Sequence, residues 1–246
     1  MPLIRITFRL AESRTREAAA IASRNYGPYS PLSKMEWLPV LMPRPREFDV
    51  DSALDRALDV FWSKGYEGTS LDELCAVTGL SRSSFYAAFG SKRDLLLRTI
   101  DRYVERRTPD LVAVLGQQLP VRKAFAALTN RFIDQIIAGS GRRGCFLGNC
   151  AAELPRGDRQ ALARVRQGLA RTEATFRAVL VRAAMRGDLS ASTDIDALAR
   201  FLTAGFQGLR LVGKVNPDRT MLKDVARTML QCLDAPPLKK NRRKAH

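Results

Sequence analysis

Thr69-Ser-Leu-Asp-Glu-Leu-Cys-Ala-Val-Thr-Gly-Leu-Ser-Arg-Ser-Ser-Phe-Tyr-Ala-Ala-Phe-Gly-Ser-Lys92 reads as two short helices joined by a tight turn. Leu71, Leu74, Cys75 and Val77 make the first helix one-sided, and Ser70 with Glu73 three residues on has the capping-box spacing that starts it. Gly79 stands where a left-handed residue ends a helix at no steric cost. Leu80 is the apolar plug, and Ser81 is a good N-cap for the second helix. That helix, about residues 82–88, turns Phe85 and Phe89 inward and leaves Arg82, Ser83, Ser84 and Tyr86 near an exposed N-terminus. This is helix-turn-helix geometry, and those side chains suit base edges and phosphates in a major groove. Ser91 with Asp94 caps a further helix whose first turn holds Lys92, a cation against the helix dipole that a nearby anionic backbone would compensate.

Working outward, residues 50–64 repeat Ala53, Leu54, Ala57, Leu58, Phe61 and Trp62 at helical spacing, and Gly65 ends the run. Residues 47–104 resemble the N-terminal domain of the TetR/AcrR family of bacterial transcriptional regulators. The resemblance is carried by Ala57, Phe61, Gly65-Tyr66, Thr69, Gly79, Ser81, Tyr86, Phe89, Lys92 and Leu95-Leu96. It implies that Thr69 and Lys92 bind phosphates, that Ser84 and Tyr86 contact the DNA backbone, and that Arg82 and Ser83 point toward bases. Ala87 and Ala88 stand where some members carry larger contacting side chains. Arg82 is thereby left as the one long side chain on the reading helix able to grip guanine bidentately.

The chain has 246 residues, 46% of them hydrophobic, with a formal net charge of +16. The charge calls for a polyanionic partner, and nucleic acid fits better than a membrane surface because no basic amphipathic helix with aromatic anchors is present. No stretch approaches the roughly 20 apolar residues of a membrane span. Four cysteines, at 75, 145, 150 and 232, form neither a C-x-x-C pair nor a disulfide framework, a usage that fits a reducing cytoplasm. The single histidine is the terminal His246, which excludes a histidine-based triad or zinc site from the folded part. No nucleotide-binding glycine motif occurs, so neither an enzyme nor a cofactor is expected.

Residues 1–46 are expected to be a disordered extension, with translation starting at Met42 as one reading and with Arg44 and Arg46 as an arm for the minor groove. The expected architecture is all-α. A three-helix DNA-binding domain spans 47–107, a helical ligand-binding and dimerisation domain spans 108–233, and a basic tail covers 234–246. Thr108-Pro109 is expected to interrupt a helix, residues 158–186 to form a long one, Asp194 to open another, and Asn216-Pro217 to start the last. The second half resembles the regulatory domain of the same family, residues 144–154 matching a stretch seen in one large subgroup. That resemblance implies a homodimer on a pseudo-palindromic operator, with Leu198, Phe201, Gly205, Leu209, Val212, Val225 and Met229 as interface candidates. Core packing is the alternative for each.

Phe125, Phe132, Leu147, Leu162, Phe176 and Phe206 are candidates to line an effector cavity between helices, or equally to fill it. Arg142 and Arg143 precede Cys145, and neighbouring cations favour thiolate, so Cys145 and Cys150 are candidate redox or electrophile sensors. Small buried cysteines acting as apolar filler are the alternative. The function expected is that of a cytoplasmic DNA-binding regulator, a homodimeric repressor released by a small-molecule effector. The rivals are an activator or architectural binder, a thiol sensor, a helical enzyme and a helical interaction protein that does not bind DNA.

Overall fold

The computed structural model describes residues 49–234; the expectations for 1–46, including Arg44, Arg46 and Met42, and those for most of the basic tail lie outside these residues. Helix α1 (Val50–Lys64) starts where the Asp49 carboxylate accepts from the backbone N–H groups of Asp51 and Ser52, at 3.1 and 3.2 Å. It buries Ala53, Leu54, Ala57, Leu58 and Phe61 on one stripe. Helices α2 (Leu71–Thr78) and α3 (Arg82–Phe89) come next, and Gly79 between them has φ +74°, with its N–H returning to the Cys75 carbonyl at 2.9 Å. The Ser70 hydroxyl accepts from the Glu73 N–H at 3.1 Å, but the Glu73 carboxylate pairs with Lys64 at 2.6 Å, so only half of the capping box forms.

Helix α4 (Lys92–Leu115) runs unbroken through Pro109, against the expected interruption. A proline there removes the bond to the Glu105 carbonyl. Glu105, Arg106, Pro109 and Asp110 are all exposed, so the freed carbonyl lies on the solvent side of the helix, where water can satisfy it. The same helix thus crosses the expected domain boundary at residue 107, and the described residues fall within one packed unit.

The rest is helical too: α5 (Val121–Ile137), α6 (Phe146–Glu153), α7 (Arg159–Met185), α8 (Ile195–Val215) and α9 (Arg219–Leu230), closed by a 3-10 turn at Gln231–Leu233. Asp158 and Asp194 cap α7 and α8 as their positions suggested. The last helix starts later than expected. Asp218, not Asn216, is its cap, because the Asp218 carboxylate reaches the Met221 N–H at 2.6 Å, whereas the Asn216 N–H closes α8 on the Val212 carbonyl at 2.8 Å. An apolar core gathers Phe125, Phe176, Phe206, Leu180 and Leu202, and a second cluster joins Ile133, Ile136, Leu209 and Leu222. Gly168 lets α7 approach closely: a Cβ there would lie 2.7 Å from Val104 and 2.8 Å from Leu147.

Candidate nucleic-acid interface

Helix α3 is anchored by its apolar face and open at its start. Phe85 and Phe89 are buried, with ring centroids 5.5 Å apart. The cap hydroxyl of Ser81 accepts from the Ser84 N–H at 3.1 Å and lies 3.0 Å from the Ser83 hydroxyl and 2.9 Å from that of Ser84. Three hydroxyls therefore cluster at an exposed helix N-terminus, where the dipole favours an anion. Tyr86 is 52% exposed one turn on, its ring edge-to-face with Phe85.

Among the described residues, the two cations expected to meet DNA are both held by partners that sequence reasoning missed. Asp72 on α2 grips Arg82 in a fork: Arg82 Nε donates to Oδ1 at 2.9 Å, and Nη2 donates to Oδ1 and Oδ2 at 2.6 and 2.8 Å. These bonds raise the Arg82 guanidinium further above its already high pKa, so it stays charged. Lys92 Nζ sits 4.3 Å from the centre of the Tyr66 ring, a cation–π contact that fixes it beside α3. No local spacing rule links residues 72 and 82 across a turn, or 66 and 92 across two helices, so neither partner was visible in the sequence.

Thr69 is placed differently from the expectation. It is 1% exposed, and its hydroxyl donates to the Gly65 carbonyl at 2.6 Å. Its side chain braces the α1–α2 turn and does not reach out toward a phosphate. Arg82, Ser83, Ser84 and Tyr86 are exposed on α3 and Lys92 is partly exposed at the start of α4, whereas Thr69 is buried.

Contacts from the C-terminal half hold this platform. Glu153, at the end of α6, accepts from the Glu67 N–H at 2.9 Å in the turn before α2. Arg93 donates to both oxygens of Asp158, at 2.9 and 2.6 Å, which holds that carboxyl below its ordinary range. Within the N-terminal part, Arg102 on α4 grips Asp55 on α1 in the same manner, with the same effect on its carboxyl. Arg143 lies 4.3 Å over the Trp62 ring and donates to Asp59 at 2.8 Å.

The other end of α6 borders a small cavity of about 40 Å³ between α4, α5, α7 and α8. Phe132, Leu147, Phe176 and Phe206 line it, while Phe125 packs behind Phe176 at 5.3 Å and Leu162 is not part of the wall. Sequence reasoning missed Tyr103, Arg107, Gln207 and Arg210, which line it too. The signal was there: Tyr103, Arg107 and Leu111, like Phe206 and Arg210, put an arginine on an apolar stripe at a spacing of four.

Cys145 and Cys150 are 6% and 4% exposed. Burial, reinforced by Glu153, pushes the Cys150 thiol up to about 12. The cations beside Cys145 in sequence turn elsewhere, Arg143 to Trp62 and Asp59, and Arg142 to the Ile136 carbonyl at 3.4 Å.

On α8, Phe201, Leu211, Val212 and Val215 are exposed at 50, 62, 42 and 82%, with Val225 of α9 at 39%. Gly208 lies open on the same stretch. Leu198, Leu209 and Met229 are core residues, and Met229 fills the space over Gly205. No helix among the described residues is long and apolar enough to cross a membrane.

Comparison with known proteins agrees with this geometry. Residues 53–99 match the family model for bacterial regulatory proteins of the tetR family, and residues 123–229 match a tetracyclin repressor-like C-terminal domain. An HTH-type transcriptional regulator of Bacillus subtilis, YezE, is 32% identical over 78% of this chain and 100% of its own length. The HTH-type transcriptional repressor ComR of Escherichia coli is 32% identical over 76% of this chain and 90% of its own. The TetR family regulator CifR, solved with a 26-base-pair operator duplex, superposes with a TM-score of 0.69 at 31% identity, over 76% of this chain and 98% of that one. These relatives are transcriptional regulators and not enzymes. With a helix-turn-helix built for DNA, an all-α C-terminal part and matches over both, the chain belongs to the TetR family of DNA-binding transcriptional regulators.

Proposed function

We propose that the protein is a cytoplasmic homodimeric repressor, released from its operator by a small molecule bound in its C-terminal half. Helix α6 is the observation that carries this reading. Cys145 and Leu147 at its start border the cavity, and Glu153 at its end holds the backbone of the turn ahead of α2. An effector that displaces the first end shifts the platform on which α3 stands. Such a shift needs a difference in effector affinity between the two arrangements, and DNA then weakens effector binding by the same factor.

The exposed apolar stripe on α8 and α9 fits a second copy. One reading helix contacts few base pairs, and two copies on a pseudo-palindrome double the set of contacts with half-sites about one helical turn apart. In this reading Arg82 and Ser83 face bases, Ser84 and Tyr86 face the DNA backbone, Lys92 takes a phosphate, and Thr69 supports them from behind. The name of the relative ComR, a repressor, supports the sign of control.

The test is retardation and footprinting of the DNA upstream of the gene by purified full-length protein. Two protected half-sites about one turn apart are expected. Failure to retard this DNA at modest ionic strength, with the protein refolded to strip bound small molecules, overturns the proposal.

A further inference from the structure

The cavity wall carries two chemistries. Phe132, Phe176, Phe206 and Leu147 are apolar, while Arg107 and Arg210 bring two guanidinium groups to within 5.5 and 5.1 Å of the centre of the same Phe132 ring. Arg210 donates to the Tyr103 hydroxyl at 3.3 Å and to the Gly144 carbonyl at 2.8 Å, both neutral acceptors. Among the described residues no carboxylate forms an ion pair with it. Arg107 has only Asp110, 3.9 Å away on its own helix, and that carboxylate is 52% exposed and lies 3.8 Å from Arg131 as well. Burial pushes the Arg107 guanidinium below its ordinary pKa, and Arg210 acts in the same direction.

Charges removed from water are paired as a rule, because the desolvation penalty is otherwise uncompensated. Here two partly buried cations line one cavity, and the one carboxylate near either of them, Asp110, is not part of its wall. Gln207 also lines the cavity, but its unpartnered Oε1 lies toward Gly148 and can only accept, so it adds nothing to the binding of a carboxylate. Gln207 and Cys145 also line an open groove of about 610 Å³ on the outer side, together with Trp62, Gly148 and Leu211. The two side chains are common to both walls.

We propose that this cavity binds a short-chain carboxylic acid, its carboxylate accepting from Arg107 and Arg210 and its tail lying against the phenylalanines. The assignment rests on the reading of the C-terminal half as effector-binding. Size restricts the acid to the shortest chains: about 40 Å³ is room for roughly three waters, far below the several hundred Å³ of a drug-sized site. The apolar wall favours a carboxylate with a tail over an inorganic oxyanion, whose remaining oxygens would face phenyl rings.

Acetate, its uncharged isostere acetamide and inorganic phosphate are the probes, titrated into full-length protein by calorimetry and by thermal unfolding. Acetate is expected to bind and to raise the midpoint with concentration. Acetamide and phosphate are expected to bind at least tenfold more weakly. Arg210→Met removes a cation that has no carboxylate partner and keeps the stem's volume, so the fold should persist while acetate affinity falls at least tenfold. Arg107→Gln reads the same loss independently should Arg210→Met misfold. Absence of acetate binding, equal binding of acetate and acetamide, tighter binding of phosphate, or undiminished acetate affinity in folded variants overturns the assignment. Retardation of the upstream DNA, run in parallel, separates the two readings. Protein that holds DNA but ignores acetate sinks the ligand alone, whereas protein that takes acetate but no DNA sinks the regulator and leaves the anion site standing.

Discussion

Arg82 and Lys92 are held by different devices, and the roles proposed for them follow from that difference. A guanidinium aimed by a forked carboxylate keeps one orientation, which suits bidentate contact with guanine O6 and N7. An ammonium over a ring keeps a position without a direction, which suits a phosphate. Arg82→Ala should therefore weaken specific binding by about ten- to a hundredfold and relax the base preference at one position of each half-site. Lys92→Ala should weaken binding to all sequences and flatten the salt slope by about one unit per subunit. Asp72→Asn should raise affinity for random DNA, by removing a negative charge near the phosphates, and lower the ratio of operator to random binding, by freeing Arg82. Titration of labelled operator and scrambled duplexes across a salt series measures all three. Equal loss on both duplexes for Arg82→Ala would reverse its assignment.

At the scale of elements, sequence served best where one physical rule acts locally. Ser81, Asp158 and Asp194 are caps because a short acceptor preceding an apolar period can do little else, and all three bond the amide three residues on. The stripe of α1 and the inward Phe85 and Phe89 were legible for the same reason. What stayed hidden depends on neighbours distant in sequence. Pro109 sits inside a helix because its side of α4 faces water; Thr69 turns inward because the Gly65 carbonyl awaits it; Arg107 and Arg210 face a cavity that exists only once five helices meet. Asp158 shows both kinds of information, since its capping role was readable and its fork with Arg93 was not. Its carboxyl pKa is depressed in the folded state, so its contribution is full above the unfolded carboxylate value and is lost as pH falls through the folded one. Asp158→Ala should cost about 1 kcal/mol for the cap. The gap from wild type seen in urea melts at pH 7 should narrow below about pH 4, the unfolded carboxylate range. A gap unchanged down to pH 3 would mean that the carboxylate charge adds nothing.

For the whole molecule, the open question is what covers α8. A soluble chain can leave single apolar side chains exposed, yet Phe201, Gly208, Leu211, Val212 and Val215 succeed one another at helical spacing, and Val225 of the adjoining helix adds to them. Gly208 has nothing within 4 Å of a built Cβ, so a helix from a second copy can approach the backbone closely there. A dimer so formed ties two α3 helices together, and the second half-site then binds at the high effective concentration set by the tether. Leu211→Glu places a charge where that helix would pack, and it should convert a dimer to a monomer in sedimentation equilibrium without lowering the unfolding midpoint of the monomeric fold. Operator affinity should fall by at least tenfold, while affinity for a single half-site stays as in wild type. Val112→Glu, at a site 52% exposed on α4 and off this stripe, should change neither mass nor binding. If Leu211→Glu sediments as a dimer, the face between copies lies elsewhere, and the spacing of the two reading helices must be sought from another surface.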